Sequence, residues 1–106
     1  MTDRELLELA AKAAGLDVSF DATQWDRFWV NGGGGFWNPL TDDGDALRLA
    51  VKLAIDFKIR NEVTWWERQE SDEVVYWHHE PHNNDPYAAT RRAIVRAAAE
   101  IGRQMK

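Results

Sequence analysis

Two stretches fix where helices must begin. In Trp37-Asn-Pro-Leu-Thr-Asp-Asp-Gly-Asp-Ala-Leu-Arg-Leu-Ala-Val-Lys-Leu, Thr41 or Asp42 can cap a helix. Asp42, Asp43 and Asp45 then place negative charge at its positive end. In Asp85-Pro-Tyr-Ala-Ala-Thr-Arg-Arg-Ala-Ile-Val-Arg-Ala-Ala-Ala, Asp85 is an N-cap and Pro86 takes the first helical position, where a missing N–H breaks no bond. A further helix follows from Thr2 with Glu5 three residues on, a capping box, and from Gly15 at its end. The spacing predicts helices near 3–14, 42–54 and 86–104. Their buried stripes would be Leu6, Leu9, Ala10 and Ala13, then Ala46, Leu47, Ala50, Val51, Leu53 and Ala54, then Tyr87, Ile94, Ala98, Ile101 and Met105.

Between the helices the period changes to two. Trp25 to Val30 and Phe36 to Asn38 flank Gly32-Gly33-Gly34-Gly35 and predict a hairpin, glycine supplying the positive φ values of a tight turn. A phosphate loop needs a Lys-Ser/Thr pair that does not follow. Ile55, Phe57 and Ile59 alternate with Asp56, Lys58 and Arg60 as a half-buried strand. Val63 to Glu67 and Glu73 to His78 predict a second hairpin across Gln69-Glu-Ser-Asp. The order is that of one α+β domain over 1–106, with three helices and a mostly antiparallel sheet of about five strands. Leu6, Leu47, Val51, Ile55, Phe57, Ile94 and Ile101 are the expected core.

The two capped stretches and the first helix resemble the phage ABA sandwich family, small proteins of tailed phages and prophages with no general activity assigned. The resemblance covers residues 2–15, 37–54 and 85–104. It implies helices on both faces of the sheet, an α/β/α sandwich, and a place in a bacterial cytoplasm. It carries over no functional residue, because it fades between Leu16 and Phe36 and between Arg60 and Asn84.

Composition narrows the chemistry. With no cysteine there is neither a disulfide nor a thiolate metal site. The acidic start Met1-Thr-Asp-Arg-Glu is unlike a leader peptide, and no apolar run reaches the roughly 20 residues of a membrane span. A net charge of −5 argues against direct nucleic-acid binding, which rests on neutralising phosphates. The charge is uneven: from Asp85 onward five bases face two acids, a net +3, and the other 84 residues carry −8.

No catalytic set assembles. Ser19 and Ser71 lie in no nucleophile elbow, and the acids Asp42, Asp43 and Asp45 lack the closing Glu of a calcium loop. His78-His79-Glu80-Pro81-His82 gathers every histidine, yet alternation sends His78 and His79 to opposite faces and Pro81 excludes helical ligand spacing. The expectation is no metal, no cofactor and no enzyme activity. Arg91, Arg92 and Arg96 form a stripe that could bind an anion such as a nucleotide; the plainer reading is that they complement an acidic body.

Six tryptophans, Trp25, Trp29, Trp37, Trp65, Trp66 and Trp77, fall in the strand-rich middle. Most should be core. Three short helices need not cover every strand, so Trp29, Trp66 and Trp77, with the acids Glu67, Glu70, Asp72 and Glu73, are the expected contact surface for a macromolecular partner. That partner would be a protein or ribonucleoprotein of phage or host. An acidic module could fill its basic nucleic-acid groove, as a counter-defence inhibitor of an immune complex would. The alternatives are a nucleotide-sequestering protein and, behind it, a His-metal enzyme.

Overall fold

The structure, a computed structural model, describes residues 1–22, 26–68 and 74–105, with the side chains at 66–68 and 74–77 outside that description. Three helices alternate with six strands: α1 (Asp3–Ala14), β1 (Val18–Asp21), β2 (Arg27–Val30), β3 (Gly35–Trp37), α2 (Asp43–Leu53), β4 (Phe57–Ile59), β5 (Glu62–Arg68), β6 (Val74–Pro81) and α3 (Pro86–Gln104). All three helix starts are as the caps foretell. The Thr2 hydroxyl accepts from Glu5 N while Glu5 reaches back to Thr2 N, Asp42 accepts from Asp45 N, and Asp85 accepts from Ala88 N.

The strands are antiparallel but do not form one five-stranded sheet. They form two sheets of three, β1–β2–β3 (sheet A) and β4–β5–β6 (sheet B). β1, which the sequence left unassigned, pairs with β2 from Val18↔Val30 to Asp21↔Arg27. The β2–β3 turn spans Asn31 to Gly34, and Gly32, Gly33 and Gly35 take positive φ.

Residues of both sheets pack against the helices. Phe28 of β2 and Trp37 of β3 join Leu6, Leu7, Leu49 and Ile94 in the main core around α1, α2 and α3. Val63 and Trp65 of β5 pack on another stripe of α3, Ala89, Ala93 and Ala97. α3 is therefore covered on two sides, and its small residues permit close approach. Gly102 abuts the Leu9 backbone of α1, where any Cβ would overlap the carbonyl.

This arrangement corrects the expected core. Leu6 and Ile94 are buried and Ile55 and Phe57 half-buried, but Leu47, Val51 and Ile101 are exposed. Helix α2 is apolar on two stripes, 46/49/50/53 and 47/51, between which periodicity alone cannot choose. Leu49, at 3% exposure, faces the core with Ala46 and Ala50. On α3 the buried positions are rich in alanine, with Ile94 and Val95 the larger residues among them, while Tyr87 and Ile101, and Met105 just past its end, are exposed.

Candidate functional site

The alternation of β2 decides which tryptophan meets solvent. Phe28 points into the core, where it meets Phe20 edge-on at 5.0 Å, so Arg27 and Trp29 point outward. Trp29 lies opposite Phe36 of β3 in register, and their rings meet edge to face at 4.9 Å, 89° between planes. They are 42% and 40% exposed. The Arg27 guanidinium sits 4.5 Å over the Phe36 ring. On the far side of Trp29 its Cα partner Ser19 exchanges hydrogen bonds with Asn31 at 3.2 and 3.0 Å, stiffening the sheet. The outer face of sheet A is thus an aromatic platform next to the glycine turn, with Arg27 over one of its rings.

Phe36 was missed from sequence. The turn runs from Asn31 to Gly34, one residue ahead of the glycine run, and that register, which the four glycines alone do not fix, sets Phe36 across the hairpin from Trp29. Phe36 also borders a hollow of about 430 Å³ shared with Val30, Trp37, Arg48, Leu49 and Lys52.

Three of the other expected contact residues, Trp66, Glu67 and Trp77, lie in sheet B. Trp66 and Trp77 are Cα partners in sheet B, and Glu67 pairs with Tyr76 beside them. Being in the second sheet, they share no strand pairing with Trp29. Glu70, Asp72 and Glu73, like Trp25, lie outside the described residues. Trp37 and Trp65 are core.

The arginine stripe is engaged within the molecule. Arg91 donates to the Leu40 carbonyl at 2.8 Å and to Asp43 at 2.6 Å. Arg92 grips Asp3 through two N–H groups at 3.1 and 3.3 Å. Hydrogen bonding from that guanidinium holds the Asp3 carboxyl below the ordinary aspartate value, and Asp3 in turn raises Arg92. Arg96 stands 3.4 Å from Glu80, and Arg103 pairs with Glu100 one turn back. A nucleotide phosphate would have to displace these carboxylates.

The histidines diverge as alternation requires. His78 stacks on Trp65 at 4.0 Å on the α3 side, whereas His79 pairs with Glu62 at 3.0 Å and approaches the Thr64 hydroxyl at 3.3 Å. Among the described residues no three His, Asp or Glu side chains converge. Among the described residues Glu80 is the one charged side chain that is buried, and its Oε2, Trp65 Nε1 and His82 Nε2 are buried without a hydrogen-bond partner.

A second feature lies where α2, β4 and the start of α3 meet. Leu47 and Val51, one turn apart, are 61% and 72% exposed, and Ile59 and Tyr87 are also exposed. Beside them Phe57, Ile59, Tyr87 and Ile94 line a hollow of about 400 Å³. No helix among the described residues is long and apolar enough to cross a membrane. No protein-family profile, curated protein or solved structure matches the chain.

Proposed function

We propose that this chain is a non-catalytic binding module that docks a protein partner through the outer face of sheet A. One observation carries the reading. Trp29 and Phe36, two residues that normally seek a core, stand side by side in water on a sheet whose other face is well packed. Their edge-to-face contact presets their orientation, so little side-chain entropy remains to be lost on binding. Exposed Trp of this kind makes binding hot spots.

The partner is a protein with a basic contact surface. The chain carries −5, concentrated before Asp85, so at long range a cationic face is attracted and another acidic one repelled. Proteins expose such faces to hold nucleic acid, and an acidic module seated there would compete with the nucleic acid. In the phage setting that the sequence resembles, this is how a counter-defence inhibitor would act, in the cytoplasm of the bacterial host.

The test is capture from a host extract by immobilised wild-type protein beside Trp29→Ala/Phe36→Ala and Glu8→Ala proteins. A protein held by wild type and Glu8→Ala, lost with the platform variant, and released by salt and by added nucleic acid supports the reading. Capture indifferent to the platform substitutions overturns it.

A further inference from the structure

We infer that the hollow between the open edge of β3 and helix α2 binds a small amphipathic carboxylate, an aryl or short acyl body carrying one negative charge. Phe36 and Trp37 are successive in β3 and point to opposite faces, yet both line this hollow of about 430 Å³. It therefore lies off the free edge of the strand, since β3 is the outer strand of its sheet and pairs with β2 alone. On the other side α2 contributes Leu49, and Leu16, just past the end of α1, joins Val30 in the apolar lining. The volume falls in the range of small-molecule sites.

The polar groups left over in the lining set the charge of the ligand. Asp45, the one acid there, is already engaged: it accepts from the Asn38 N–H at 3.0 Å and from Arg48 at 2.7 Å. Lys52 is exposed in the last turn of α2 and, among the described residues, has neither an ion pair nor a hydrogen bond. The Trp37 indole N–H likewise makes no hydrogen bond among them. Arg48 is 73% exposed and bonds Asp45 through one nitrogen of its guanidinium. The side chains thus offer donors around an apolar floor, and the ligand supplies the acceptor. One unpaired ammonium matches one negative charge, which fits a carboxylate better than a phosphate carrying about −2. The rest of the ligand is apolar, because a polar body would lose its water against Leu16, Val30 and Leu49 without return.

Trp29 is not part of this lining, and the charged contact is Lys52, outside the aromatic platform, so the site holds or fails separately from the protein contact proposed above. Calorimetric titration with phenylbutyrate and octanoate tests it, with phenylbutanamide as the uncharged counterpart of the first. Phenylbutyrate should fill one saturable site and bind about tenfold or more tightly than the amide, the difference a charge-assisted hydrogen bond makes. Lys52→Glu should weaken it by about the same factor. Lys58→Glu, the same change of charge at an exposed lysine of β4, should leave it unaltered. Both lysines are exposed, so both variants should fold. In nitrogen–proton spectra the Trp37 indole resonance should move on titration while that of Trp65, in sheet B, stays. No saturable binding of either acid by about 10 mM overturns the inference. Equal affinity for acid and amide overturns it too, as does an equal loss in the Lys52→Glu and Lys58→Glu proteins.

Discussion

Gly102 of α3 rests against the backbone of Leu9 in α1, and the contact leaves no space for a side chain at position 102. The α1–α3 pair thus approaches backbone to backbone at this point. A methyl group there must push two helix backbones apart. We expect Gly102→Ala to destabilise the fold by about 1–3 kcal/mol, despite the better helix propensity of alanine. Urea denaturation should show a lower midpoint with an unchanged slope. A rise in midpoint would mean that the helices sit further apart.

The two stripes of α2 should separate cleanly. Leu49→Ala, at a position 3% exposed, should cost about 2–5 kcal/mol, whereas Leu47→Ala should stay within about 0.5 kcal/mol. Equal losses at both positions would place the helix in a different rotation about its axis.

Much of the helical frame was readable because caps are local. Thr2 with Glu5, Asp42, and Asp85 with Pro86 act within one turn of themselves, and no distant residue can reassign them. The rotation of α2 was not readable, since Leu47 and Leu49 are equally apolar and only the packing of Trp37, Leu6 and Ile94 chooses between them. The number of sheets was hidden for a related reason: strand pairing is non-local, and four-residue β1 has no turn signal tying it to β2. Of the expected contact surface Trp29 was legible and its neighbour Phe36 was not, although hairpin register joins them. Leu47 and Val51 were noticed as apolar and assigned to the wrong side.

Asp3 and Arg92 tie the start of α1 to α3, and their bond should be visible as a pH effect. The Asp3 carboxyl is held below its ordinary value near 3.8, so the folded state binds its proton less readily than the unfolded chain. The resulting stability is fully present above pH 3.8 and is lost as pH falls through the depressed folded value. Asp3→Asn should therefore be less stable than wild type at pH 7, with the gap closing below about pH 4. The difference will be small, because the Asp3 side chain is 62% exposed and water screens the pair. A gap that persists unchanged at pH 2.5 would show that the bond contributes nothing ionic.

Glu80 is buried 3.4 Å from Arg96, with Arg92 near enough to feel its charge, and its Oε2 accepts no hydrogen bond. A charge so placed costs desolvation without full return. Glu80→Gln should leave stability unchanged or raise it by up to about 1 kcal/mol, while Arg96→Ala should lower it by about 1–2 kcal/mol, moderated by the exposure of Arg96. Thermal melts of the two variants at pH 7 check this. A strongly destabilised Glu80→Gln would mark the pair as a structural anchor.

The binding reading rests on Trp29, and the most direct measurement is its contribution to affinity for the captured partner. Calorimetric titration of that partner with wild-type and Trp29→Ala proteins, both checked for unchanged thermal melts, gives the number. Loss of an exposed hot-spot indole predicts a weakening of about 2 kcal/mol or more, roughly a thirtyfold rise in Kd. An equal Kd for the two folded proteins would contradict the proposed contact face.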